Sequence, residues 1–218
     1  DGIFLIENAY ALDTFQNGEF DQIYHEHMFY FSALNISALM QKFDFELLDF
    51  FHSPVHGGSG IFICGKKGRH SPNASVQDTL EKERTAFKEN KIFHDFKVKI
   101  ESNKIKATAL IHEEKRQGQV VGAYGAPAKA FTVFSYYELD DSSIAFCIDT
   151  TPTKIGKVFP KFNIPILSEE ALNELEYNTV LINAWNYKED ILKKASLIFK
   201  KGTKLIFLIP DLEIHIVK

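Results

Sequence analysis

Apolar and polar positions divide the chain into stretches of different rhythm. Ile3-Phe4-Leu5-Ile6 runs unbroken into Glu7, the pattern of a strand buried on both faces in a parallel sheet. Such a strand needs neighbours, and the expectation is that they lie outside this chain, which reads as a piece cut from a longer protein. Residues 8–18 form a connection with room for a helical turn. Residues 36–43, with Leu39 and Met40 spaced for one face, predict a helix closing near Asp44. Residues 45–51 and 60–66 are two β-rich runs joined by His52-Ser53-Pro54-Val55-His56-Gly57-Gly58-Ser59, which predicts an antiparallel pair with a long loop.

The rhythm changes after a polar, Pro-containing linker at 69–75. From about Ala74 to Gln117 the sequence is long, charged and helix-favouring, with Gly118 as the expected C-cap. One helix or two in succession would brace two domains, with the charges on a solvated face. At Gln119 an α/β alternation begins. Strands are expected at 120–124, 143–149, 179–183 and 203–208, and helices at 129–138 and 188–199. This alternation implies a small parallel sheet with helices on its faces.

Composition narrows the function classes. With 218 residues and 45% hydrophobic content the chain can bury one large or two small cores. Its 25 basic and 29 acidic residues are mixed along the sequence for a net charge of -4, so no footprint for nucleic acid or an anionic membrane exists and neither is expected as a partner. The two cysteines, Cys64 and Cys147, sit inside apolar runs, which suits a reduced, cytoplasmic setting. Apolar runs fall short of the ~18–20 residues of a membrane span, so a soluble protein is expected, as a monomer.

Candidate chemistry concentrates in Glu19-Phe20-Asp21-Gln22-Ile23-Tyr24-His25-Glu26-His27. Tyrosine, two histidines and glutamate in four consecutive positions can accept and relay a proton near neutral pH. On an extended chain Tyr24 and Glu26 would share one face and His25 and His27 the other. Catalysis and plain packing both remain open, while His-x-His without further ligands is too little for zinc, and no metal is assigned. Gly57 and Gly58 permit either close approach to a ligand or a tight turn. The turn Ala123-Tyr124-Gly125-Ala126-Pro127-Ala128 approaches a dinucleotide fingerprint, with Asp149 where a ribose-binding acid would stand, but fails the spacing. Its helix N-terminus leaves NAD, a substrate phosphate and plain structure as readings.

These residues carry a family resemblance. The stretch 19–27, Tyr30-Phe31-Ser32 and His56-Gly57-Gly58-Ser59 resemble the signature of sugar C-methyltransferases acting on nucleotide-linked keto-deoxysugars. The second half adds Gly125-Ala126-Pro127-Ala128-Lys129, Asp149 with Pro152-Thr153-Lys154 and Gly156, Ile164-Pro165-Ile166, and Trp185-Asn186. Departures are Ile61, where an arginine is common, and Ala130-Phe131 in place of Gly-Asn.

The resemblance implies an α/β fold. Residues 1–70 would be the C-terminal part of a class I methyltransferase Rossmann-like sheet ending in an antiparallel hairpin, 71–118 a linker with bracing helices, and 119–218 a smaller Rossmann-like parallel α/β domain that holds substrate. The donor would be S-adenosylmethionine, its glycine-rich loop lying outside this chain, and zinc is expected only in an N-terminal module also outside it. By resemblance, His27 is the base that removes a proton beside the sugar ketone. Tyr24 and Glu26 position it or stabilise the enolate, which attacks the sulfonium methyl, and His25 is structural. Substrate contacts are expected at His56, Gly57, Gly58, Ser59, Tyr124, Gly125 and Lys129, and residues 1–218 alone are expected to be inactive. Two other readings stand beside this one: an NAD-linked or nucleotide-binding module, and a non-catalytic sugar-nucleotide-binding domain.

Overall fold

A computed structural model describes residues 2–218. They form two compact units. One comprises the chain up to Glu19 together with His25–Val98, the other Phe20–Tyr24 together with Lys99–Lys218.

The first unit is built on a three-stranded antiparallel sheet in which β3 (Ser59–Lys66) lies between β1 (Ile3–Ala9) and β2 (Phe45–Ser53). The expected hairpin of β2 and β3 is present, with a register shift between Leu47 and Asp49. The expectation for β1 is corrected: it runs antiparallel to β3, and Ile3 and Leu5 are exposed by 54% and 62%. Among the described residues β1 pairs with β3 alone. Helices α1 (Ala11–Asn17), α2 (Ala33–Gln41) and α3 (Ala74–Ala86) accompany the sheet. Tyr10, Leu12, Ile36, Leu47, Phe62 and Leu80 meet in the core. Cys64 lies among them, and burial pushes its thiol up to about 11, which leaves it inert near neutral pH.

Helix α2 begins three residues earlier than its apolar spacing predicts, because its N-terminus is capped twice. Ser32 Oγ accepts from Asn35 N, and Asn35 Oδ1 accepts from Ser32 N at 2.8 Å. The fully buried Glu83 carboxylate of α3 then accepts from Ala33 N (2.7 Å), Leu34 N (2.8 Å) and the Tyr10 hydroxyl (2.8 Å). An anion at this position satisfies orphan amides and opposes the positive end of the helix dipole.

The charged stretch 74–117 forms two helices, α3 and α4 (Lys91–Arg116). They are separated where Glu89 and Asn90 take left-handed φ values of 59° and 57°. Gly118 is left-handed after α4, as expected. Buried Asn103, Ala107, Ile111 and Glu114 mark one face of α4 at helical spacing. Glu114 is held by Thr179 Oγ1 (2.7 Å) and Lys204 Nζ (2.6 Å).

The second unit carries a six-stranded sheet in the order β6-β5-β4-β7-β8-β9. Its strands are β4 (Val121–Tyr124), β5 (Cys147–Ile148), β6 (Ile166–Leu167), β7 (Thr179–Ile182), β8 (Lys204–Phe207) and β9 (Glu213–Ile216), with helices α5 (Ala128–Tyr137) and α6 (Lys188–Ile198). The first five strands are mutually parallel. Three expectations are corrected. The strand at 143–149 pairs only over Cys147–Ile148, and β6 is an unforeseen two-residue addition. The sheet is not purely parallel, because β9 returns antiparallel along β8 as an edge strand with alternating exposure. No helix among the described residues is long and apolar enough to cross a membrane.

Two substitutions test this packing. A Cβ on Gly122 of β4 would meet the buried Phe146 ring at 2.4 Å, so Gly122→Ala is expected to destabilise the chain by about 1–3 kcal/mol. The urea midpoint should fall and recover in part when Phe146→Leu is added. Glu83→Ala removes the acceptor of three hydrogen bonds, an expected loss of about 3 kcal/mol at ~1 kcal/mol each. Glu83→Gln should lose less, and an unchanged midpoint in Glu83→Ala would refute the capping role.

Candidate functional site

The 19–27 stretch is not extended, so the expected alternation of its side chains does not hold. Phe20–Gln22 is a single 3-10 turn, closed by Ile23 N to Phe20 O at 3.0 Å, and Tyr24 N reaches Gln22 O at 3.2 Å. A further turn follows at residues 25 and 26. The stretch is divided between the two units, with Tyr24 in the second and His25, Glu26 and His27 in the first. His25 and Glu26 are exposed, whereas Tyr24 and His27 are half-buried.

In the first unit the loop between β2 and β3 is strongly bent. His56, Gly57 and Gly58 have φ values of 57°, 94° and 141°. His56 is exposed, while Ser59 is buried with its hydroxyl donating to Val55 O at 3.1 Å. Gly58 has a physical reason to be glycine: a Cβ there would lie 2.0 Å from Asp13 Oδ2. The same Asp13 oxygen lies 2.5 Å from His52 Nε2. Gly58 O accepts from Tyr10 N at 3.0 Å, and the Tyr10 ring lies 6.1 Å from the imidazole of His52. Burial, with the Glu83 carboxylate beside it, pushes the Tyr10 phenol far above its ordinary pKa, so it acts as a donor only.

Sequence reasoning missed Asp13 and His52, which come from α1 and the end of β2. The acid at Asp13 five residues before the Gly18 cap and the histidine opening the Gly-Gly loop were the available signals, and neither indicates a pair. A carboxylate on Nε2 favours the tautomer that keeps the proton there and leaves Nδ1 as a base. With His52 half exposed at its side chain and Asp13 only 16% exposed, the pair is anchored on one side and accessible on the other.

The turn after β4 in the second unit is closed by its own side chains. Gly125 is left-handed (φ 88°) and its carbonyl accepts from Asn183 Nδ2 at 2.8 Å. Ala126 N, the amide a phosphate would take, donates to Asp149 Oδ2 at 2.7 Å. Asp149 also receives Thr151 N at 2.8 Å and Lys154 Nζ at 3.3 Å, and Lys154 bridges back to Ala126 O at 2.9 Å. Burial opposes ionisation of Asp149, yet bonds from Thr151 and Ala126 and the Lys154 charge hold its pKa below the usual carboxylate value. The residues of this turn do not fit NAD, since the acid that would meet a ribose caps the amide instead.

The remaining expected contacts are engaged inside the second unit. The Tyr124 hydroxyl donates to Glu169 Oε2 at 2.8 Å, and burial raises its pKa. Lys129 is 13% exposed at its side chain. Its ammonium lies 3.1 Å from Asn186 Oδ1, 3.4 Å from Asp21 Oδ2 and 4.4 Å from the Trp185 ring centroid. Asp21 was not foreseen as a site residue. Its position in the 19–27 stretch was visible, but its partners were not.

Comparison with known proteins shows the family. C-methyltransferase NovU of Streptomyces niveus is 30% identical over 213 residues, covering 97% of this chain and 51% of that protein, so the chain spans about half the length of this curated relative. A family model described as the C-methyltransferase C-terminal domain matches residues 54–210, a range that holds the Gly57-Gly58 loop, the Asp149-closed turn and Trp185. That match covers most of the chain, and the chain belongs to the C-methyltransferase C-terminal domain family.

Proposed function

We propose that this chain serves S-adenosylmethionine-dependent C-methylation of the carbon next to the ketone of a nucleotide-linked deoxysugar, acting within a polypeptide of about its relative's length. What supports the reading is the run of four consecutive proton-handling residues in the sequence, Tyr24 to His27, in a chain of the C-methyltransferase family. Residues 1–218 alone are inactive in this proposal, and the sugar nucleotide contacts the His56-Gly57-Gly58-Ser59 loop.

The chemistry assigned to these residues is proton removal. A carbon next to a ketone is acidified because its conjugate base is an enolate with charge on oxygen. His27 takes that proton, and Tyr24 and Glu26 orient the base or stabilise the enolate oxygen. S-adenosylmethionine supplies the electrophilic methyl group when bound. In this reading the donor is held by a loop outside residues 1–218, and no step is assigned to a residue of this chain through it.

A second reading has a specific observation in its favour. The His52 imidazole has an orienting carboxylate, Asp13 at 2.5 Å, and it opens the glycine loop. In that reading His52 is the base and His27 packs.

Both readings are tested in the full-length polypeptide. His27→Asn is expected to lower turnover by ~10²–10⁴ while sugar-nucleotide binding survives. Exchange of the acidic sugar C–H with solvent deuterium, followed without donor, should fall in parallel. Tyr24→Phe and Glu26→Gln should lose less. If His52→Asn and Asp13→Asn stop exchange while His27→Asn does not, the base is His52. Binding of the sugar nucleotide with turnover indifferent to all of these changes would make the chain a non-catalytic binding module. Titration with NADH is expected to produce no saturable change in the fluorescence of Trp185, and saturable quenching would reopen the dinucleotide reading.

A further inference from the structure

Asp21 is the most demanding residue of the second unit. It is fully buried, yet ionisable, and an uncompensated carboxylate in such a place is strongly disfavoured. Its Oδ2 accepts the indole N–H of Trp185 at 2.6 Å and faces the Lys129 ammonium at 3.4 Å. That ammonium lies against the Trp185 ring and donates to Asn186 Oδ1 at 3.1 Å, so Asp21, Lys129, Trp185 and Asn186 interlock. Asp21 Oδ1 is buried without a hydrogen-bond partner among the described residues. A merely space-filling residue would avoid that penalty; what the carboxylate secures is one position for the segment that carries it.

The segment is pinned on both sides of Asp21. The Phe20 ring lies 5.0 Å from Tyr136 and 5.5 Å from Tyr137, and Ile23 O accepts from Thr132 Oγ1 at 3.1 Å. Lys129, Thr132 and Tyr136 recur along α5 at intervals of three and four residues, and therefore occupy one helix face. Tyr24 follows directly, its amide bonded to Gln22 O, which leaves little slack between the pinned segment and the phenol.

The geometry points to a positioning clasp: Asp21, Lys129 and Trp185 hold the Phe20–Tyr24 segment in the second unit so that Tyr24 is presented for the reaction, and Lys129 acts through Asp21 rather than on substrate. This assignment rests on the reading that Tyr24 serves C-methylation.

The test is a double-mutant cycle in the full-length polypeptide. Asp21→Asn and Lys129→Met are each expected to lower kcat by ~10-fold to 10²-fold, the scale of a misplaced catalytic group, with KM for the sugar nucleotide little changed. Lys129→Arg should recover part of the loss. In a Tyr24→Phe background the Asp21→Asn change should cost little more, because both act through one side chain. Trp185 is the single tryptophan of residues 1–218, so the emission that the full-length polypeptide loses on Trp185→Phe reads the clasp without an activity assay, and that component should shift in Asp21→Asn and Lys129→Met. Raised KM with kcat intact in Lys129→Met would assign Lys129 to the substrate and overturn the clasp, as would fully multiplicative losses in the cycle or unchanged Trp185 emission. A silent Tyr24→Phe would instead remove the catalytic role of Tyr24, and the clasp's purpose with it. Should Asp21→Asn fail to fold, Lys129→Met carries the same cycle.

Discussion

Taking a carboxylate out of water costs several kcal/mol unless donors offset it, and both units are organised by buried carboxylates that draw donors from distant parts of the chain. Glu83 gathers the start of α2 and the Tyr10 hydroxyl, so β1, α2 and α3 are tied at one point of the first unit. In the second unit Glu114 of α4 joins Thr179 and Lys204 of adjacent strands, Asp149 closes the turn after β4, and Asp21 draws in Lys129 and Trp185. Each is a long-range connection that apolar packing alone would leave loosely specified, since hydrophobic contact is not directional.

The same physics separates residues that are available for chemistry from residues that are engaged in structure. Tyr124, Lys129 and Asp149 are titratable groups in a turn that reads as a ligand cradle, and each has an internal partner that uses its polar atom. His52 stands differently. Asp13 holds one ring nitrogen while half of the side chain remains exposed, and the glycine at position 58 exists because the carboxylate occupies the space of a Cβ. An oriented, half-exposed imidazole is suited to moving protons, which is why it competes with His27 for the role of base.

Much of the architecture was legible in the chain because it depends on local pattern. The hairpin of β2 and β3, the long charged helices with Gly118 after them, and the alternation from β4 to β8 follow from periodicity and glycine chemistry that a short window contains. The candidate site was legible only as a cluster: Tyr24 to His27 stood out by residue type, and the family resemblance by motif. What periodicity misjudged was always non-local. Ile3 to Ile6 looks buried because the residues are apolar, but coverage depends on what packs against them. The two-residue β6 is too short to announce itself, and β9 alternates polar and apolar residues at the chain's end; both exist through pairing, with β5 and β8.

Tertiary structure alone decided which polar groups meet. Nothing in the spacing of Asp13 and His52, or of Asp21, Lys129 and Trp185, says that they share hydrogen bonds, because partners so distant in sequence are chosen by the packing of the elements that carry them. The amino-acid sequence by itself determined the inventory of proton-handling groups, the periods of the helices and strands, and the family. The folded chain determined which of those groups are locked in internal pairs and which keep an accessible atom, since burial and partner geometry are properties of three-dimensional neighbours and not of sequence order.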